Sequence, residues 1–202
     1  MYKTYVCLLL AALVLALAGC SGQPRNQISQ MNLSAQQQQI VDLISTNEQQ
    51  VVFFEFNTSQ PFTEIYLRLE VYEYGQLTDT GLGFAMVNID SPLSGNIAAV
   101  ITEDRYNGHF HWQVTLREGD PSGWGSTSSS ATIPVPEGMM GRGFGPMHEA
   151  VHIDGNTEAV LFASRFTSDG KLSTSGSLQD YLDPANFAGY PIVHVLIATF
   201  TK

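Results

Sequence analysis

The sequence predicts a mainly β protein, a β-sandwich or partly open barrel with one short N-terminal helix. Three observations carry that expectation. Apolar and polar residues alternate in several stretches after residue 50, turn-forming pairs such as Asn107-Gly108 and Asp169-Gly170 punctuate them, and no repeating strand-helix alternation appears. With 202 residues, 44% of them apolar and 14% charged, the chain has the composition of one ordinary folded domain.

The helix comes first. Ser34-Ala35-Gln36-Gln37 is a capping-box pattern, and Ile40, Leu43 and Ile44 recur at helical spacing before Asn47 closes the segment. The run Gln36 to Gln39 then forms its solvated face. From Gln50 the period changes to two. Val51 to Phe56 reads as a buried strand, and Ile65, Leu67, Leu69 and Val71 alternate with Tyr66, Arg68, Glu70 and Tyr72.

Ser94 to Arg117 is the clearest hairpin, with Asn107-Gly108 as a two-residue type I′ loop. That loop sets Tyr106 opposite His109, Asp104 opposite His111 and Glu103 opposite Trp112. It also puts Ala99 and Ile101 on one face with Phe110, Trp112, Val114 and Leu116. Glu118-Gly119-Asp120-Pro121 is expected to end the pairing, and Ser122 to Ser130 to form a Gly/Ser/Thr loop carrying Trp124. Ala131 to Val135 is a short strand. The glycines from Gly138 to Gly145 lack the strand and helix context of a dinucleotide loop. Glu149 to Ile153 and Glu158 to Thr167 read as a hairpin about Asp154-Gly155. Ser177 to Leu182 reads as a helical turn, and Ile192 to Phe200 as a central strand covered on both faces.

Ahead of this domain, Lys3 is followed by Leu8 to Leu17 without a polar residue, the layout of a secretory signal and too short for a spanning helix, which needs about 20 residues. Leu17-Ala18-Gly19-Cys20 resembles the lipobox of bacterial lipoproteins. The resemblance implies cleavage before Cys20 and a diacylglyceryl group on its thiol, an anchor on the extracytoplasmic face of a cell membrane, or at an outer membrane where there is one. The expected organisation is a signal peptide over 1–19, lipidated Cys20 with a flexible tether over 20–33, and a single all-β domain over 34–202. The mature layout is similar to a group of uncharacterised lipoproteins of Gram-positive bacteria. The likeness rests on Leu33-Ser34 with Ile40 to Ile44, Val71 to Leu77, Gly81 and Gly83, Gly95 to Ala98, and His194 to Ala198. It implies a leading helix followed by an all-β domain and brings no established activity with it.

Charge and motifs narrow the chemistry. Nineteen acidic against nine basic residues give −10, and loss of Lys3 with the signal leaves eight against nineteen, or −11. Such a surface repels phosphate backbones, so nucleic acid is excluded as a partner. Cys7 and Cys20 are the two cysteines, which leaves His, Asp and Glu as metal ligands in the domain.

His148-Glu149-Ala150-Val151-His152 fits H-E-x-x-H and extends through Gly155 to Glu158. In zincin metallopeptidases that spacing sets two histidines one helical turn apart on Zn²⁺, with the glutamate activating water. The extended pattern is similar to that of the metzincins, with Glu158 where they carry His or Asp. Here Pro146, the glycines before it and Asp154-Gly155-Asn156 argue against a helix. In a strand the two histidines lie about 13 Å apart at 3.3 Å per residue, too far for one ion.

Tyr106, His109, His111 and Trp124 are the candidate surface-binding residues, His109 and His111 as a pH-sensitive patch with Asp104 and Trp124 as an exposed aromatic. The leading functional reading is a lipid-anchored extracytoplasmic binding or interaction module without cofactor, its ligand a surface protein, peptide or glycan. One alternative is a zinc metallopeptidase with His148, His152 and Glu158 as ligands and Glu149 as base. The other is a structural envelope protein.

Overall fold

The computed structural model describes residues 26–202 apart from 47, 90–92, 121–122, 136–137, 140 and 172–176. Two antiparallel sheets pack face to face without closing into a barrel. The chain runs through β1 (Gln27–Gln30), α1 (Ala35–Ile44), β2 (Gln49–Thr58), β3 (Phe62–Glu73), β4 (Gln76–Ile89), β5 (Leu93–Asp104) and β6 (His109–Asp120). It continues through β7 (Gly123–Pro134), β8 (Gly141–Pro146), β9 (Val151–His152) and β10 (Thr157–Thr167). Two short 3-10 helices (Leu178–Leu182 and Pro184–Phe187) and β11 (Ile192–Thr201) complete it. The six-stranded sheet has the order β7-β6-β5-β2-β1-β9, and the five-stranded sheet β4-β3-β11-β10-β8.

Period-two patterning explains the core. Phe54 and Phe56 of β2, Ile97 and Ala99 of β5, and Trp112, Val114 and Leu116 of β6 point from the first sheet. Ile65, Leu67 and Leu69 of β3 and Leu196, Ala198 and Phe200 of β11 meet them from the second. Phe200 sets the edge of its ring against Phe56 and Phe62, each 5.8 Å away. The other face of β11, with Val193, Val195 and Ile197, belongs to a second apolar cluster with Tyr72, Val160 and Phe187. The 3-10 helices and Tyr190 cover that face, so β11 is central and shielded on both sides, as its apolar run predicts.

Four sequence expectations are corrected. The tether expected through residue 33 ends sooner, because Gln27–Gln30 is inserted between β2 and β9. Gln-Ile-Ser-Gln carries one core residue, Ile28, and its strand state comes from partners on both sides. The stretch expected as a loop over 122–130 is most of β7, paired with β6 from Asp120↔Gly123 to His109↔Pro134. An edge strand of alternating Ser and Thr keeps its hydroxyls in water and needs little apolar content. The expected hairpin about Asp154-Gly155 does not form, since β9 pairs with β1 in one sheet and β10 with β8 and β11 in the other.

The β5–β6 register is two residues from the expected one: Asp104 opposes His109, Glu103 opposes Phe110 and Ile101 opposes Trp112. Asp104 is the cause. Its carboxylate accepts from the backbone N–H of Tyr106 and Asn107 at 3.2 and 3.1 Å and from Asn107 Nδ2 at 2.7 Å. These bonds widen the loop to residues 105–108, with Gly108 at φ +66°. A slip of two preserves the faces, so the predicted inward set from Ala99 to Leu116 stands.

Candidate functional site

The H-E-x-x-H residues do not lie on a helix. Pro146 ends β8, residues 147–150 are irregular, and Val151–His152 pairs with β1. His148, Glu149 and His152 are exposed. Glu158 sits in the opposite sheet, where its Oε1 accepts from Arg68 Nη2 at 2.9 Å and from the Thr199 hydroxyl at 3.4 Å. Among the described residues no three His, Cys, Asp or Glu side chains are grouped as a metal centre.

Arg68 gathers a polar patch on the outer face of the five-stranded sheet. It reaches Glu70 at 2.7 Å and Thr199 at 2.6 Å as well as Glu158. The Tyr72 hydroxyl donates to Glu70 Oε2 at 2.6 Å, and burial together with that bond pushes the phenol well above its ordinary range. Every named member is engaged by another, the mark of a structural network that ties β3, β10 and β11 together.

The hairpin tip carries three of the predicted surface residues. Tyr106 is 98% exposed, and the His109 and His111 rings stack with centroids 6.5 Å apart. His111 Nδ1 lies 2.9 Å from Thr132 Oγ1, and its Nε2 lies 3.8 Å from Asp104 Oδ2. Bonds from Asn107, side chain first, hold the Asp104 carboxyl below its ordinary range. The His–Asp patch read from the sequence is therefore assembled, although diagonally rather than across one register pair. The Trp124 backbone pairs with Gly119; its side chain, like Cys20 and the signal, lies outside the described residues.

The sequence reading missed an accessible apolar feature of the described residues. Helix α1 starts on the capping box it predicts: Ser34 Oγ accepts from Gln37 N at 3.3 Å and Gln37 Oε1 accepts from Ser34 N at 2.8 Å. The chain enters it from the sheet through a bond from Met31 N to Phe53 O of 2.8 Å. Yet α1 buries no residue, and Ile40, Leu43 and Ile44 remain 54%, 85% and 72% exposed. Between the helix and the outer face of the six-stranded sheet lies a groove of about 450 Å³. Met31, Leu33, Ile40, Val41 and Ile44 line one side, and Phe53 and Ala98 the other, with Asn96, Thr115 and Arg117 beside them. Its size falls in the range of ligand pockets, and its lining is mostly apolar with a few polar groups. Helical spacing of Ile40, Leu43 and Ile44 was the available signal; that their stripe would not dock could not be read from it.

No known protein family, curated protein or solved structure matches the chain.

Proposed function

We propose that this chain is a lipid-anchored, extracytoplasmic β-sandwich that acts as a binding module, with Cys20 carrying the anchor and the groove beside α1 as its contact surface. The observation that supports the reading most is the apolar stripe of α1, where Ile40, Leu43 and Ile44 are left largely in water and Ile40 and Ile44 line a concave apolar groove. Burying each such side chain yields about 1.5–3 kcal/mol, which the isolated domain forgoes and a partner recovers. The preferred ligand is an apolar peptide segment of a surface protein. A glycan fits less well, because the wall offers Phe53 and aliphatic residues where sugars need aromatic platforms with dense polar contacts. The zinc peptidase reading lacks comparable support, since its helix is absent and Glu158 is engaged by Arg68.

Two measurements test the proposal. Anilinonaphthalene sulfonate should fluoresce on the wild-type chain and lose most of that signal when Ile40→Asp and Ile44→Asp are combined, with circular dichroism unchanged. Equal signal in both proteins rejects the groove. Metabolic palmitate labelling should mark the wild type and vanish in Cys20→Ser; unchanged labelling rejects the anchor.

A further inference from the structure

His194 lies in the middle of β11, between Val193 and Val195, which face outward into the cluster of Phe187. Alternation turns it inward with Ile192 and Leu196, and its side chain has 0% exposure. Register places Ser164 of β10 on one side and Val71 of β3 on the other. Across the seam stand two aromatic rings of β6, Trp112 at 6.1 Å and Phe110 at 6.2 Å, and Phe166 of neighbouring β10 lies beside the imidazole at 5.0 Å. Among the described residues neither imidazole nitrogen has a hydrogen-bond partner, and the indole N–H of Trp112 has none either.

Such a site tolerates a neutral imidazole and opposes an imidazolium. The cation carries two N–H donors that water would satisfy, and here no carboxylate or carbonyl receives them. Aromatic faces attract a cation, but they do not replace two hydrogen bonds. Three carboxylates share the inward faces of neighbouring strands, exposed Glu73 at the end of β3, two residues beyond Val71, being one of them. Glu103 of β5 opposes Phe110 in register and is paired with Arg105 at 3.0 Å, and exposed Asp79 of β4 opposes Val71. The inward residues of β6, β10 and β11 packed on His194 carry no charge.

We propose that His194 is an acid-operated release in the seam between the sheets: folded, the domain holds the ring neutral, and its protonation opens the β6, β10 and β11 side of the sandwich. Burial lowers the folded pKa to about 4, from 6.5 in the open chain. Above pH 6.5 both states are neutral at this residue, and it adds no pH dependence. Between 6.5 and 4 the unfolded chain binds the proton and the folded one does not. Stability therefore falls as pH falls, by up to about tenfold in the folded-to-unfolded ratio per pH unit and about 300-fold across the window. Below pH 4 the contribution is constant. Opening would expose Phe110, Trp112 and Phe166, an apolar surface absent at neutral pH. The proposal is independent of the groove.

The test is urea unfolding of the full chain at pH 7.5, 6.5, 5.5 and 4.5 for wild type, His194→Leu and His194→Gln. The wild-type folded-to-unfolded ratio should decline relative to both variants across the lower three values, by up to tenfold per unit. His194→Gln should be less stable throughout yet show no such relative slope, which separates an orphaned amide from a titrating ring. Parallel pH profiles for all three proteins overturn the proposal. Should neither variant fold, the wild-type His194 ring signals decide by NMR: no titration down to pH 4.5 in the folded chain supports the release, and a midpoint near 6.5 overturns it.

Discussion

On the outer face of the five-stranded sheet, residues 177–190 close over β3, β10 and β11, whereas on the outer face of the six-stranded sheet α1 hangs with its apolar stripe in water. The sealed side is held by side chains chosen for their places. Phe187, 1% exposed, meets Tyr72 at 4.9 Å and Tyr181 at 5.3 Å. Arg165 lies over Tyr190 and Tyr181 at 5.3 and 5.8 Å. The Gln179 amide accepts from Val160 N at 2.9 Å and donates to Val160 O at 3.0 Å, so it binds both backbone groups of a residue that borders the bulge between Val160 and Phe162. Among the described residues, helix α1 has its capping box and a side-chain bond along its length, Gln38 to Asp42 at 2.7 Å, but no aromatic ring contact of its own. The contrast separates a layer that completes the fold from one that is free to meet something else.

That contrast can be broken from either side. The largest effect is expected from Phe187→Ala, about 3–5 kcal/mol of global stability in urea unfolding, because a fully buried ring is removed from packed neighbours. Gly75→Val comes next, at about 1–3 kcal/mol. Gly75 turns from β3 into β4 at φ +76°, and a Cβ there would stand 2.9 Å from Pro184 O and 3.0 Å from Ala188. It would strain the hairpin and lift the cover together. On the open side, Ser34→Ala should weaken α1 by about 1 kcal/mol. Its mark is faster amide exchange in residues 35–44 with the global unfolding midpoint in place. The smallest effect belongs to Leu43→Gln, within about 0.5 kcal/mol on stability. A large loss of stability from either helix variant would show that α1 belongs to the folding unit after all.

What the sequence made legible was local. The Ser34 cap, the alternation through Ile65 to Tyr72, the inward face from Phe110 to Leu116 and the central run from Ile192 each declare themselves within a dozen residues. The misplaced elements depend on partners far along the chain. Ile28 is a lone apolar residue until β2 and β9 flank it, and the serines of β7 form a strand because β6 offers them a ladder. The hairpin slip was decided by one carboxylate, where Asp104 captured the N–H groups that a tighter turn would have used. Of the site, the patch at Asp104, His109 and His111 was visible, and the groove was not, because exposure of a helical stripe is a tertiary fact. His194 was hidden by the apolar run that contains it, where a single polar residue reads as an interruption rather than as a core position.

The place of β11 in the order of its sheet has a consequence for assembly. It is inserted between β3 and β10, joining Glu64 to Thr201 and Tyr72 to Val193. Until residues 192–201 have left the ribosome, β3 and β10 have no common neighbour, and the five-stranded sheet can exist only as two fragments with open edges. Pairing across such sequence distances pays its loop-closure entropy before any contact rewards it, so the domain should fold slowly, in milliseconds to seconds, and as a whole. A sheet assembled this way keeps the facing edges of β3 and β10 open until β11 pairs with both, so its two halves, β4-β3 and β10-β8, are joined in a single last step.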